Sequence, residues 1–158
     1  MPTTTATTTA RTRTLRGSRA LICDDEGMIL MSVSRALEDG GLTVIGITNS
    51  SDVAVEIALR ERPDLILLDM RMLGMSGLEA AGRILGVYRP CIVILTASSE
   101  AEYLEAAAVL GVSGYIVKPV TADVLMREVE SAWEAFRARA DEPMGGLPVL
   151  EEQPRSIG

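Results

Sequence analysis

The sequence predicts an α/β domain: a doubly wound, parallel, five-stranded sheet with helices on both faces. Five short apolar or β-branched runs alternate with five helical stretches between Ala20 and about Ala140. Each strand–helix unit takes roughly 20–25 residues, which leaves room only for short loops. Three of the runs, Ala20-Leu21-Ile22-Cys23, Leu65-Ile66-Leu67-Leu68 and Cys91-Ile92-Val93-Ile94-Leu95, are apolar without alternation. Strands covered on both faces read this way, and regular strand–helix alternation implies parallel strands joined by crossovers.

The elements follow in order. The first strand ends in Asp24-Asp25-Glu26. A helix over Met28–Leu37 places Ile29, Val33, Ala36 and Leu37 at helical spacing, and Gly40-Gly41 stops it. Leu42–Ile47 is rich in β-branched residues and forms the second strand. Ser51 or Asp52 caps a helix running to about Arg62, which Pro63 cannot continue. Leu65–Leu68 is the third strand, closed by Asp69. Gly74 and Gly77 mark a loop, and Leu78–Leu85 is helical. Cys91–Leu95 leads to Thr96. Ser98 or Ser99 caps a helix over Glu100–Leu110, which Gly111 ends. Tyr115–Val117 is the fifth strand and runs into Lys118-Pro119. Thr121 caps a last helix reaching about Ala140. Its apolar stripe is Leu125, Val129, Trp133 and Phe136. Leu125 and Val129 are assigned to the core, whereas Trp133 and Phe136, near the helix end, are read as extending beyond it toward a dimer or partner contact.

Composition narrows the class. The chain has 158 residues, 47 % hydrophobic and 23 % charged, which suits one globular domain with tails. No apolar run approaches the roughly 20 residues that span a bilayer, and no apolar signal core opens the chain, so a cytoplasmic protein without membrane contact is expected. Cys23 and Cys91 lie inside apolar runs and are expected to be buried, reduced thiols. Net charge is −7; residues 1–20 contribute +4 through Arg11, Arg13, Arg16 and Arg19, so the remainder carries −11. An acidic body argues against direct DNA binding by the folded part. The absence of His excludes a phosphohistidine, a His base or a His-ligated zinc on this chain. There is a single lysine, Lys118, against 14 arginines, so a position that keeps Lys invites a chemical reason.

The flanks differ in composition. Residues 1–18 are low-complexity Thr and Arg and are expected to be a disordered tail. The folded domain is expected over 19–138, and 139–158, with Pro143, Gly145, Gly146, Pro148 and Pro154, is expected to be a flexible tail.

Ligands of open parallel sheets bind at the carboxyl ends of the strands. Asp24 and Asp25 follow strand 1, Asp69 ends strand 3, Thr96 ends strand 4 and Lys118 ends strand 5. Three carboxylates, a hydroxyl and an ammonium thus meet at one end of the sheet. Clustered carboxylates repel unless a cation joins them, and oxygen ligands suit a hard cation, Mg²⁺ or Mn²⁺. A carboxylate left over could attack phosphorus to give an aspartyl phosphate. Each residue alone also has an ordinary structural reading: helix cap for Asp24, Asp25 and Thr96, turn residue for Asp69, surface cation for Lys118. Their convergence is what carries the signal.

The strings Leu21-Ile22-Cys23-Asp24-Asp25-Glu26, Leu65-Ile66-Leu67-Leu68-Asp69-Met70-Arg71-Met72, Ile92-Val93-Ile94-Leu95-Thr96-Ala97 and Gly114-Tyr115-Ile116-Val117-Lys118-Pro119 resemble the receiver domains of bacterial two-component response regulators, over about residues 19–135. The resemblance implies a flavodoxin-like (βα)5 fold with strand order 2-1-3-4-5. It implies that Asp69 accepts a phosphoryl group from a sensor histidine kinase or phosphotransfer protein. Asp24, Asp25, Asp69 and the backbone carbonyl of Arg71 would bind Mg²⁺. Lys118, Thr96, Ala97 and Tyr115 would form the phosphate-binding and switch set, with a cis bond before Pro119. Output would pass to an unidentified protein target through the face of helix 4, strand 5 and helix 5, which also offers a homodimer contact. Leu73 stands where the family often has Pro, and Arg71 and Ser98 occupy positions that tune phosphate lifetime. Beyond self-phosphorylation and self-dephosphorylation no enzymatic activity is expected. Two other classes compete: a phosphate-independent receiver-like binding module, and a haloacid-dehalogenase-like phosphatase with an Asp nucleophile. Arg71, where such phosphatases carry a second Asp, speaks against the latter. No glycine-rich phosphate loop follows strand 1.

Overall fold

The computed structural model describes residues 14–72, 74–97 and 101–140, with residues 101–103 described by backbone alone. Five strands alternate with five helices: β1 Arg19–Cys23, α1 Gly27–Asp39, β2 Thr43–Thr48, α2 Ser51–Glu61, β3 Leu65–Asp69, α3 Gly77–Leu85, β4 Cys91–Thr96, α4 Ala101–Leu110, β5 Gly114–Val117 and α5 Ala122–Ala140. All strand pairs are parallel, in the order β2-β1-β3-β4-β5. This is the expected flavodoxin-like (βα)5 sheet. The sequences proposed as tails fall mostly on 1–13 and 141–158, outside the described residues, as do Leu73, Ser98 and Ser99.

The unbroken apolar strands are explained by two cores. Side chains alternate across a strand with period two. Ala20, Ile22, Leu65, Leu67, Val93 and Leu95 face α1 and α5, packing with Leu30, Val33, Leu37, Leu125 and Val129. Leu21, Cys23, Ile66, Leu68, Ile92 and Ile94 face the opposite way, onto Ala54 and Ala58 of α2, Ala80, Ala81 and Ile84 of α3 and Ala107 of α4. Every residue of β3 and β4 is therefore buried. The flanking strands β2 and β5 carry exposed positions, as edges do.

Three local expectations are corrected. Helix α2 is capped by Ser50, whose hydroxyl accepts from the Val53 amide at 3.3 Å, rather than by Ser51 or Asp52; Ser51 is already helical and buried. Trp133 does not extend beyond the core: it is 2 % exposed and belongs to the α1–α5 cluster, with Phe136 partly buried beside it at a ring-centroid distance of 5.2 Å. Part of the reason lies in the third correction. Residues 14–18 belong to the folded body: Leu15 packs against the same cluster, Gly17 N donates to Gly41 O at 2.8 Å, and Ser18 is buried. A Thr/Arg-rich composition hid one anchoring leucine.

Candidate functional site

The site grows from the carboxyl edge of the sheet. β1 and β3 are adjacent, which brings the residues after Cys23 beside the end of β3. β4 lies against β3 on the other side, with Asp69 in register with Leu95, and β5 lies against β4 with Thr96 in register with Val117. Backbone bonds fix these ends. Asp24 N donates to Thr48 O at 3.1 Å, Met70 N to Leu95 O at 2.7 Å and Lys118 N to Thr96 O at 2.7 Å.

The structure brings Asp24, Asp25, Asp69 and Lys118 together. One carboxylate oxygen from each of the three Asp residues lies within 4.8 Å of the others. Asp24 and Asp69 are buried and Asp25 is exposed. Lys118 Nζ lies 2.9 Å from Asp24 Oδ2, 3.4 Å from Asp69 Oδ2 and 3.4 Å from Glu26 Oε1. Asp24 Oδ1 accepts from the Glu26 amide at 2.9 Å, so this carboxylate braces the turn into α1. Its Oδ2 is buried, with the Lys118 ammonium 2.9 Å away as its neighbour. Asp69 Oδ1 receives a long bond from the Arg71 amide at 3.4 Å.

The electrostatics follow from this crowding. Burial, then the charge of Asp24, push the Asp69 carboxyl from 3.8 up to about 6, against the opposing pull of Lys118 and the Arg71 amide. Burial alone would lower Lys118, but its contact with Asp24 and the charges of Asp69 and Glu26 outweigh that and raise it. The neighbouring Cys23 thiol is driven up to about 12, first by burial and then by the same carboxylates, so it is an inert core group. Its sulfur lies 3.2 Å from Met72 Sδ.

The remaining candidates sit around this centre. Thr96 is buried at the end of β4, Ala97 is exposed beside it, and Tyr115 on β5 is 43 % exposed. Arg71 is exposed on the β3–α3 loop. The Lys118-Pro119 bond is cis. Asp24 and Asp25 are not the cap of α1; Glu26 holds that place and makes no side-chain cap bond. Sequence reasoning missed Glu26 as a partner of Lys118. The only signal was its position as third acid in Asp24-Asp25-Glu26.

The residues present fit a hard divalent cation. Three carboxylates, Asp24, Asp25 and Asp69, converge with Lys118 paired to two of them, and the donor atoms are all oxygen. Among the described residues no helix is long and apolar enough to cross a membrane.

The family described as the response regulator receiver domain matches residues 20–130. The chain is similar to the transcriptional regulatory protein PdtaR of Mycobacterium tuberculosis, with 34 % identity over 119 residues, 75 % of this chain and 58 % of the relative. It is similar to the transcriptional regulatory protein DesR of Bacillus subtilis, with 30 % identity over 128 residues, 80 % of this chain and 63 % of the relative. The chain thus spans less than two thirds of the length of these relatives. Among solved structures it resembles the signal receiver domain of a modulated diguanylate cyclase from Desulfovibrio desulfuricans G20, with a TM-score of 0.69 and 30 % identity, covering 78 % of this chain and 98 % of that one. The chain belongs to the response regulator receiver family, the signalling domains of two-component phosphorelays that are typically phosphorylated on an aspartate.

Proposed function

We propose that Asp69 is the phosphoryl acceptor of this receiver. The observation that carries the reading is the placement of Asp69 at the end of β3 between two further carboxylates and the chain's one lysine. With its carboxyl at about 6, Asp69 is largely ionised at neutral pH and free to act as a nucleophile. A carboxylate oxygen attacks phosphorus, and the phosphorus–nitrogen bond of a phosphohistidine donor breaks. Its electron pair leaves with the imidazole and an acyl phosphate remains on Asp69. Asp24, Asp25, Asp69 and the carbonyl of Arg71 would hold Mg²⁺, or Mn²⁺. The ion, when bound, supplies positive charge for the phosphoryl oxygens. Lys118 supplies the second positive charge by turning from Asp24 toward the new phosphoryl group. Thr96 and Ala97 line the neighbouring strand end, and Thr96 and Tyr115 act as the switch: the buried hydroxyl engages the phosphoryl group and the exposed ring turns inward behind it.

The donor is a sensor histidine kinase or phosphotransfer protein, and the setting is the cytoplasm. The output face is α4–β5–α5. Val109 at 87 % exposure, with Leu110, Tyr115 and Val117, leaves apolar surface there for a target protein or a second copy. The receiver spans about residues 14–140.

The test is incubation with Mg²⁺ and acetyl phosphate, read by intact mass, on wild type and Asp69→Asn. A metal-dependent adduct present only in wild type is expected. A folded wild type that takes no phosphate would overturn the reading in favour of a phosphate-independent binding module.

A further inference from the structure

We infer that Gly77 is a positioning residue for Asp69, acting through a backbone contact that leaves no room for a side chain. The inference rests on Asp69 being the acceptor. Gly77 opens α3, eight residues after Asp69, and is buried. A Cβ built there would collide with the carbonyl oxygen of Asp69 itself, and would lie 3.0 Å from the Asp69 carbonyl carbon and 3.1 Å from Met70 Cα. All three atoms are main chain, so no rotamer change relieves the clash. The Gly77 amide also donates to Met70 O at 2.9 Å, which cinches the two ends of the β3–α3 loop directly behind the acceptor.

Other reasons for a glycine here fail. Gly77 is not among the glycines with positive φ, so its conformation is open to any residue. At a helix start Ala would be favoured over Gly by up to about 1 kcal/mol. Two other glycines serve as comparisons. Gly74, in the same loop, has φ +81° and nothing within 4 Å of a built Cβ: it is needed for its conformation. Gly27 opens α1 beside Asp24 and Asp25, and a Cβ there also meets nothing within 4 Å. Only at Gly77 does the requirement for space point at the acceptor. A side chain at 77 must push the Asp69–Met70 backbone away from α3. That shifts the Asp69 carboxylate against Lys118, now 3.4 Å away, and the Arg71 main chain whose amide reaches Asp69 Oδ1. The start of α3 is itself fixed independently by a capping box between Ser76 and Glu79, so the helix does not simply yield.

The experiment compares Gly77→Ala with Gly27→Ala and Ser76→Ala. Ser76→Ala weakens the same helix start without adding a group near Asp69. Three readouts are taken: adduct formation with acetyl phosphate, its half-saturating Mg²⁺ concentration, and metal-free amide chemical shifts. Gly77→Ala is expected to slow adduct formation at least tenfold, raise the Mg²⁺ requirement and move the Met70 and Arg71 amide resonances. Gly27→Ala and Ser76→Ala should keep the wild-type rate within about twofold, even where Ser76→Ala lowers stability as much. A wild-type rate, Mg²⁺ dependence and shift pattern in Gly77→Ala would overturn the inference. Should Gly77→Ala not fold, inserting one Gly between Ser76 and Gly77 moves α3 without adding a Cβ; unchanged rate and shifts in that variant would overturn it equally. If wild type takes no phosphate at all, the acceptor role falls, while the metal-free shifts still decide whether Gly77 places Asp69.

Discussion

Lys118 lies closer to Asp24 than to Asp69: its ammonium is 2.9 Å from Asp24 Oδ2 and 3.4 Å from Asp69 Oδ2. In this state the lysine neutralises Asp24 first and Asp69 only secondarily. Lys118→Met should therefore leave two buried acids without their shared counter-charge. A loss of about 3 kcal/mol at pH 7 is expected, toward the low end for a broken buried pair because the ammonium keeps some contact with water. Because Lys118 is raised above 10.5 in the folded state, its contribution is fully present at neutral pH and disappears only as pH rises through that raised value. Urea melts of the two proteins at pH 7 measure the difference.

Asp69 titrates in the opposite sense to an ordinary paired carboxylate. Its folded value of about 6 exceeds 3.8, so the folded state holds its proton longer than the unfolded chain does. The stability associated with this proton is fully present below 3.8 and is lost as pH rises through about 6. At pH 7 the ionised side chain costs on the order of 3 kcal/mol at most. In metal-free buffer Asp69→Asn should be more stable than wild type by about 1–3 kcal/mol at pH 7 and nearly equal to it at pH 4. Equal stability of the two proteins at pH 7 would contradict the electrostatic account.

Mg²⁺ should relieve the same strain from outside. At one hundred times its dissociation constant the ion is expected to stabilise wild type by about 2.7 kcal/mol, and EDTA should reverse the effect. Asp24→Ala and Asp25→Ala should each blunt the response. Thermal midpoints measured against Mg²⁺ concentration test this without any phosphoryl transfer.

Trp133 separates core from interface. It is 2 % exposed, so Trp133→Ala should destabilise the monomer by about 3–5 kcal/mol. Its indole N–H is buried without a hydrogen-bond partner, so Trp133→Phe, which removes that donor, should cost far less. Denaturant unfolding provides the values. A variant that changed self-association but not monomer stability would return Trp133 to the surface.

The sheet and most of the site were legible in the sequence because both rest on period and position. The apolar runs Leu65–Leu68 and Cys91–Leu95 announced burial on two faces, and polar residues closing four of the five strands marked one edge of the sheet. What escaped depends on contacts between distant segments. Trp133 lies on a helix stripe whose extent along α5 is set partly by Leu15, 118 residues earlier in a segment of unpromising composition. The cap of α2 moved by one residue because Ser50, Ser51 and Asp52 are all competent and only the packing of Ser51 decides among them. Gly77 looked like a loop marker, since nothing in a string of letters distinguishes a glycine chosen for its torsion from one chosen for its emptiness.

The solitary lysine has a practical consequence. Lys118 lies inside the acidic site with its side chain only 15 % exposed, and no second lysine exists in the chain. Amine-directed chemistry, whether enzymatic acylation or a laboratory reagent, therefore meets a single side-chain address. Its reactivity would rise or fall with the charge state of the carboxylates around it.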